Sequence, residues 1–268
     1  MEPSSKSDDM PVDTSSASSS KNRGDSRRKP AHWQNAKVLN IIQEAPDAIT
    51  LRLLLEESDG FLPGQYYNVR LLVPGRSGPV QRAYSVGSSP VPDTSIIDLG
   101  VREVPGGLVS PRLVGDLAAG DWVEVRGPVG RFTWTTDDGG PVLLVGAGSG
   151  VVPLMSMIRY AVAAHLDVPM RLVCSSSNFD YAFYHRDLAD LAERFSWLDV
   201  VHTFTRDPFD PRASHHRRID QIMIAEVVVD QFPGRTYICG PPTMVEDVQK
   251  WLTELGVDPA TVLVEKYD

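Results

Sequence analysis

The stretch PVLLVGAGSGVVPLMSM, residues 141–157, places an apolar run, a glycine-rich turn and a second apolar run in direct succession. The first run predicts a buried strand, and the second predicts a helix from about residue 152 to residue 164. A glycine turn between a strand and a helix lets backbone N–H groups approach a pyrophosphate, and the helix N-terminus adds favourable partial charge. The same turn also fits S-adenosylmethionine-dependent methyltransferases, and some turns of this kind bind nothing. The pattern therefore indicates, without proving it alone, a nucleotide site formed by Gly146, Gly148, Ser149 and Gly150.

After this turn the chain alternates between strand and helix patterns. Strands are predicted over 170–175, 198–204, 236–240 and 261–266, and helices over 186–195, 219–229 and 242–255. That alternation predicts a doubly wound parallel sheet. Cys239, Gly240 and Pro241 end one predicted strand, and ligands of open α/β sheets bind at the carboxyl ends of strands. A small polarisable side chain there can touch a nicotinamide ring without blocking it, which indicates Cys239 for that contact.

Before the turn the chain has a different rhythm of short strands and turns. Six strands are predicted, over 36–42, 48–55, 66–72, 80–88, 95–102 and 122–127, with one short helix over 111–117 that has Ser110 as its N-cap. Such a set predicts a small closed antiparallel barrel. We therefore predict two domains: an antiparallel six-stranded β-barrel over 33–137, then an α/β doubly wound parallel sheet over 138–268. A polar tail over 1–32 is predicted to be disordered.

One predicted barrel strand carries residues suited to a flavin. Arg82-Ala83-Tyr84-Ser85 lies within it. An arginine is well suited to a diphosphate, and a tyrosine offers an aromatic plane with a polar tip. A surface arginine beside a tyrosine packed in the barrel explains these four residues equally well, so the segment indicates a flavin site only together with the rest of the chain.

A second barrel segment suits the phosphates of a nucleotide. It opens the short predicted helix, where free N–H groups and a serine hydroxyl can bind an anion. An ordinary helix cap is compatible with the same residues. The candidates are Gly106, Gly107, Val109 and Ser110.

Composition narrows the function. The net charge of −9 argues against binding to nucleic acid, which needs a basic face. The two cysteines, Cys174 and Cys239, cannot supply the four ligands of an iron–sulfur cluster or a structural zinc site, so no metal is predicted. There is no run of 18 apolar residues and no apolar leader after a basic start, so we expect no membrane span and a cytoplasmic protein.

The chain resembles the ferredoxin–NADP reductase superfamily, in its bacterial two-domain flavin reductase form without an iron–sulfur domain. The resemblance runs from about Trp33 to Tyr267. Single motifs of this kind are weak, whereas eight in the same order are specific. They are PGQY at 63–66, RAYS at 82–85, GGLVS at 106–110, RGPVGRF at 126–132, GAGSGVVPLMSM at 146–157, FTR at 204–206, RID at 218–220 and CGPP at 239–242.

The resemblance implies roles for individual residues. In this family an FAD-binding barrel precedes an NAD(P)-binding domain, and flavin and nicotinamide meet in the cleft between them. The flavin phosphates would be held by Arg82, Gly107, Val109 and Ser110. Tyr84 would flank the isoalloxazine, and Ser85 would form a hydrogen bond near flavin N5. Gly148, Ser149 and Gly150 would face the nicotinamide nucleotide, with Cys239 beside its ring. The acidic residue and the aromatic near the flavin would be Glu265 and Tyr267, although Asp268 follows the aromatic here.

The residues after the third strand of the second domain bear on whether the chain uses NADH or NADPH. In relatives that use NADP, a Ser/Thr-Arg pair after that strand binds the 2′-phosphate, and Thr205-Arg206 stands there. A solvated loop is the alternative, and the neighbouring Asp207 would weaken a phosphate site. We therefore expect NADPH or NADH as the substrate.

We predict an FAD-dependent NAD(P)H oxidoreductase, with FAD preferred over FMN. Hydride would pass from NAD(P)H to the flavin, and electrons would leave to a separate acceptor: a ferredoxin-like protein, a haem or oxygenase partner, or a diffusible acceptor. A flavin- and nucleotide-binding subunit without turnover is the main alternative. A methyltransferase would leave the barrel and the RAYS segment without a use.

Overall fold

The computed structural model describes residues 31–267, so the predicted tail over 1–32 lies almost entirely outside the described residues, as does position 268. The first half of the described chain forms one antiparallel sheet of six strands, in the order β4-β3-β6-β1-β2-β5. The strands are β1 (Trp33–Ala45), β2 (Ala48–Leu55), β3 (Tyr66–Leu71), β4 (Val80–Ser85), β5 (Ile96–Arg102) and β6 (Trp122–Val129), with the short helix α1 (Ser110–Gly115) before β6.

The six-stranded sheet curls until its two edge strands meet. Val86, just after β4, forms an isolated antiparallel bridge with Leu99 of β5, and the Gly87 N–H donates to the Asp98 carbonyl at 2.7 Å. Alternate residues of the strands point inward and form the core, because successive side chains of a strand face opposite sides. Val38, Leu51, Val69, Leu99 and Val125 are among its fully buried members.

The second half forms a parallel sheet of five strands in the order β11-β10-β7-β8-β9. This agrees with the predicted two-domain architecture of barrel and doubly wound sheet, which is confirmed. The strands are β7 (Val142–Ala147), β8 (Met170–Ser176), β9 (Leu198–Phe204), β10 (Arg235–Gly240) and β11 (Val262–Lys266). The helices are α2 (Val151–Ala163), α3 (His185–Arg194), α4 (Gln221–Asp230) and α5 (Pro242–Glu254).

The strand order places a crevice at the centre of the parallel sheet. The chain proceeds from β7 outward through β8 to β9, then returns to the other side of β7 for β10 and β11. The carboxyl ends of β7 and β10 are therefore neighbours, and Gly146 pairs with Cys239. A reversal of strand order of this kind is where open α/β sheets bind ligands.

The two sheets share apolar packing. Ala45 and Ala48 of the barrel, and Phe132 and Trp134 after its last strand, belong to the core cluster on one face of the parallel sheet. This cluster contains residues from both sides of the predicted domain boundary at 137–138. The packing therefore does not fix that boundary, which stays a prediction. The longest helices between residues 31 and 267, α2 and α5, have 13 residues each, and no helix in that range is long and apolar enough to cross a membrane.

Candidate active site

A cleft of about 660 Å³ lies where the two sheets meet. Its volume is in the range of small-molecule sites. The barrel lines it with residues 82–85 of β4 and residues 107–110, and the parallel sheet lines it with Ser149, Cys239, Glu265 and Tyr267. Folding thus brings together candidates from five separate segments of the sequence.

Strand β4 supplies a cation and an aromatic ring to the cleft. It pairs with β3 so that Arg82 lies opposite Val69 and Tyr84 lies opposite Tyr67. Arg82 is exposed and donates to the Gln81 carbonyl at 2.8 Å. Burial raises the pKa of Tyr84 to about 12, against the opposing effect of the nearby Arg82 charge. At neutral pH the strand therefore presents a neutral phenol beside a guanidinium, which suits an aromatic ligand that carries phosphate.

The loop after β5 folds back on itself before α1. The Gly107 N–H donates to the Val104 carbonyl at 2.8 Å, and the Ser110 hydroxyl accepts from the Val104 N–H at 3.0 Å. The predicted N-cap role of Ser110 is wrong: Val109 occupies the N-cap position without a side-chain bond, and the buried Ser110 hydroxyl is used inside the loop. A Cβ on Gly107 would lie 2.9 Å from the Val104 oxygen, so the tight turn requires glycine.

The glycine turn between β7 and α2 is packed directly against the end of β10. Gly148 has a left-handed φ of 55°. A Cβ on Gly150 would lie 2.1 Å from the carbonyl oxygen of Cys239, so no larger residue fits without moving β10. Ser149 lines the main cleft, and α2 begins at Val151. The turn therefore holds the N-terminus of α2 and the Cys239 strand end together at the crevice.

Cys239 and Glu265 lie side by side on β10 and β11. Cys239 is 2% exposed. Burial raises the pKa of its thiol well above the usual range, and the neighbouring Glu265 adds to the effect. Burial also raises the pKa of Glu265 to about 7. The thiol is thus neutral at physiological pH, whereas the carboxyl group titrates near neutrality.

One oxygen of Glu265 has no bonding partner. Its Oε2 is buried and accepts no hydrogen bond from any group between residues 31 and 267. Buried polar atoms are nearly always paired, so an orphaned oxygen that lines a cleft indicates a site completed by a ligand. With the Arg82 cation, the Tyr84 ring and the backbone around Gly107, the lining of the cleft fits a flavin nucleotide.

Tyr267 ties the end of the described chain to the glycine turn. Its hydroxyl donates to the Ala147 carbonyl and accepts from the Gly150 N–H at 2.9 Å. The residue lines the main cleft between β11 and the turn. The predicted aromatic is therefore present at the cleft and is held by two bonds to the turn.

A second cleft of about 530 Å³ holds the residues predicted for the 2′-phosphate. The Thr205 hydroxyl donates to the Ser176 carbonyl at 3.3 Å, and the Arg206 N–H donates to the Ser177 carbonyl at 2.8 Å. Gly148 and Arg102 line the same cleft, and Arg102 also lines the main one. A third cavity of about 300 Å³ takes in Thr205 and Pro241. The nucleotide candidates thus divide among three adjoining spaces.

Some predicted residues do not line these three cavities, and other residues do so without having been predicted. Gly106, Gly146, Gly150 and Gly240 line none of them. At Gly146 and Gly240 an added Cβ would lie 2.9 Å from Leu154 Cδ1 and 2.6 Å from Met244 Cε, which is a packing constraint. The main cleft also includes residues that sequence reasoning missed. Three of them stand within quoted motifs, namely Tyr66, Leu108 and Val152, and the others are Gly100, Arg102, Val104 and Lys266.

Comparisons with known proteins match both halves of the chain. Residues 35–134 match the family described as oxidoreductase FAD-binding domain, and residues 144–250 match the family described as oxidoreductase NAD-binding domain. The reductase subunit of an aromatic O-demethylase from Amycolatopsis sp. is 34% identical over 245 residues, which cover 89% of this chain and 70% of that protein. The glycine betaine monooxygenase reductase subunit of Pseudomonas aeruginosa is 29% identical, over 84% of this chain and 63% of that protein.

Solved structures show the same fold. The crystal structure of Amycolatopsis cytochrome P450 reductase superposes with a TM-score of 0.75 at 31% identity, over 88% of this chain and 70% of that one. A ferredoxin NADP+ reductase from Neisseria gonorrhoeae with bound FAD and NADP superposes with a TM-score of 0.72 at 22% identity, over 87% of this chain and 98% of that one. Similarity at that identity concerns the fold alone.

Proposed function

The chain belongs to the family of two-domain FAD- and NAD(P)-binding oxidoreductases that includes the reductase subunits of oxygenases, and we propose that it passes electrons from NAD(P)H through FAD to a separate oxygenase component. It is a flavoprotein NAD(P)H reductase. One observation carries the proposal: the flavin candidates of β4 line a single cleft with two of the nicotinamide candidates, Ser149 after β7 and Cys239 near the end of β10.

The bound flavin supplies the redox chemistry, accepting a hydride and releasing electrons singly. In our proposal the protein binds and orients. Arg82 and the loop backbone of Gly107 and Val109 hold the phosphates, and the Tyr84 ring and Ser85 border the flavin. Gly148 and Ser149, which line the second and the main cleft, hold the nicotinamide nucleotide, and Gly150 packs their turn against Cys239.

The central experiment follows flavin colour. Purified protein reconstituted with FAD should be yellow, and anaerobic NADH or NADPH should bleach it. Steady turnover with ferricyanide would distinguish an enzyme from a subunit that only binds the cofactors. A protein that stays colourless after reconstitution, or whose flavin neither nucleotide reduces, contradicts the proposal.

Cys239 is proposed to lie beside the nicotinamide. Its neutral, buried thiol adds no charge there, and its carbonyl packs on the glycine turn. Cys239→Ala should slow anaerobic flavin reduction at saturating nucleotide by about 10-fold or more while leaving FAD content unchanged. Cys174→Ala, in the same sheet but absent from the main cleft, is the control. Equal reduction rates in Cys239→Ala and wild type would refute this role.

We propose that Thr205 and Arg206 read the 2′-phosphate and make NADPH a competent substrate. Both residues line the second cleft, and a guanidinium is well suited to phosphate. Arg206→Ala should then raise the KM for NADPH by about 10-fold, since a charge-assisted bond contributes about 1.5–3 kcal/mol, and leave the KM for NADH unchanged. An equal change for both nucleotides contradicts the assignment.

The acceptor is proposed from the relatives. Two of them are the reductase subunits of an aromatic O-demethylase and of a glycine betaine monooxygenase. The electrons are therefore expected to leave for a separate protein. Both cysteines are free and buried, which agrees with a cytoplasmic location. Co-purification from cytosol, and single-turnover transfer to the co-purified oxygenase component, test both statements.

A further inference from the structure

Helix α2 presents one stripe of residues to the barrel. Val152, Ser156 and Arg159 are spaced four and three residues apart, so their side chains share a face of the helix. The Ser156 hydroxyl donates to the Ser88 carbonyl at 2.7 Å, and the Arg159 guanidinium donates to the Gly87 carbonyl at 2.8 Å. The stripe therefore joins the parallel-sheet domain to the chain segment that follows β4.

Two barrel glycines let side chains of the parallel-sheet domain pack directly on the barrel backbone. A Cβ on Gly100 would lie 2.4 Å from Val152 Cγ2, and a Cβ on Gly87 would lie 2.4 Å from the Tyr184 hydroxyl. Ser156 is fully buried and Tyr184 is 2% exposed. Neither glycine has room for a methyl group, so the barrel and the parallel-sheet domain fit closely at this interface and have little freedom to slide past each other.

The segment that α2 contacts, residues 87–88, follows directly after the flavin candidates of β4. Gly87 lies two residues beyond Ser85, about 7 Å along extended chain. Its N–H donates to the Asp98 carbonyl at 2.7 Å, and the Ser88 hydroxyl accepts from the Asp98 N–H at 3.1 Å. A shift of this segment would therefore move the end of β4 and its Ser85.

The other end of α2 is joined to the nicotinamide side. The helix starts at the glycine turn, whose Gly150 is packed on Cys239. From Val152 to Arg159 the helix rises about 10 Å. The helix is thus a spacer between the strand end that carries Cys239 and the segment next to Ser85.

The Arg159 guanidinium is held in place from a second side. It forms an ion pair with Asp187 of α3 at 2.5 Å and lies 4.7 Å from the centre of the Tyr184 ring. Its direction towards the Gly87 carbonyl is therefore set by groups of its own domain.

We infer that Ser156 and Arg159 are positioning residues that set the distance between the nicotinamide and the flavin. The inference rests on the proposed function. In that step NAD(P)H would lose one hydride and become NAD(P)+, and the flavin would accept that hydride, its proton together with both electrons. The rate of such a step is steeply sensitive to alignment, and a displacement of 1 Å caused from a distance can cost about 100-fold.

The test compares Arg159→Ala, Arg159→Lys and Ser156→Ala with wild type in the FAD-loaded protein. At saturating nucleotide, Arg159→Ala should slow anaerobic flavin reduction by about 10- to 100-fold, and Ser156→Ala by less. FAD content and the dissociation constant for NAD+ should change by less than about threefold, because no proposed binding group is removed. Arg159→Lys should recover part of the rate, since lysine can still reach one of the partners. Arg194→Ala removes an exposed ion pair with Asp190 on α3 and is the matched control.

A second readout needs no turnover. Hydrogen–deuterium exchange of the peptide containing residues 86–88 in FAD-free protein should rise about tenfold in Arg159→Ala, with exchange in β10 unchanged. If the mutations lower only the melting temperature, and leave both the reduction rate and this exchange as in wild type, the positioning role is overturned. If Arg159→Ala does not fold, Ser156→Ala, which removes a single hydroxyl, decides by the same criteria. Wild-type protein whose flavin neither nucleotide reduces would overturn the proposed function itself, a result distinct from equal rates in wild type and variants.

Discussion

Replacing Glu265 by glutamine should change how the stability of the flavin-free protein depends on pH. Burial raises the pKa of this carboxyl group from 4.5 to about 7. Between those two pH values the folded protein holds a proton that the unfolded chain has lost, so stability falls as pH rises through this window. At about 1.4 kcal/mol per pKa unit, the ionised group costs the folded state about 3.4 kcal/mol once the pH is well above 7. The cost vanishes below pH 4.5, where both states are protonated.

Glutamine keeps the shape of the side chain and cannot ionise. The free energy of unfolding of Glu265→Gln, relative to wild type, should therefore rise by about 2.5 kcal/mol between pH 5 and pH 8. Urea unfolding at several pH values measures this difference. Only its change with pH is interpreted, because the amide also changes the hydrogen bonding of the side chain by an amount that is the same at every pH. Glu193→Gln, at an exposed position on α3, is the matched control for the same change of side chain. A difference between Glu265→Gln and wild type that stays constant from pH 5 to pH 8 refutes the reasoning.

Two further changes probe the glycine turn in the same unfolding assay. Gly150→Ala places a methyl group 2.1 Å from the Cys239 carbonyl oxygen. It should lower the free energy of unfolding by about 1–3 kcal/mol through overpacking, and NAD+ affinity should be lost in parallel. The control is Gly115→Ala, which should be tolerated because nothing lies within 4 Å of its new methyl group. Tyr267→Phe removes the bonds to the Gly150 N–H and the Ala147 carbonyl and should cost about 1 kcal/mol. Wild-type stability in Gly150→Ala, or in Tyr267→Phe, would contradict the corresponding packing or bonding argument.

The order and type of the elements were predictable because their signals are local. The apolar run before Gly146 and the alternating residues of the first half are read within a few positions of the chain, and β8 was predicted to within one residue of its observed end at Ser176. Element ends were less accurate. The strand predicted to run to residue 88 ends at Ser85, because the chain turns there to bridge β5.

The site was only partly predictable. Arg82, Tyr84, Ser149 and Cys239 line the main cleft as the motifs suggested, although their individual roles stay predictions. The use of Ser110 was misjudged because its partner is decided by how the loop from residue 104 folds back, which no local propensity encodes. Arg102 was missed because nothing in its neighbourhood marks it; it reaches the Tyr181 carbonyl, 79 residues away, at 2.8 Å.

By itself the sequence determined a barrel followed by a doubly wound sheet, and the pair of nucleotides that such a chain binds. Periodicity and glycine turns report local backbone geometry, and eight motifs in order identify the family. The tertiary structure alone decided which candidates share a cleft, and that Glu265 is half-buried there with a pKa raised to about 7. It also decided that Arg159 of α2 reaches the Gly87 carbonyl, 72 residues away. Burial and long-range contacts depend on how distant segments pack, and that information is distributed over the whole chain.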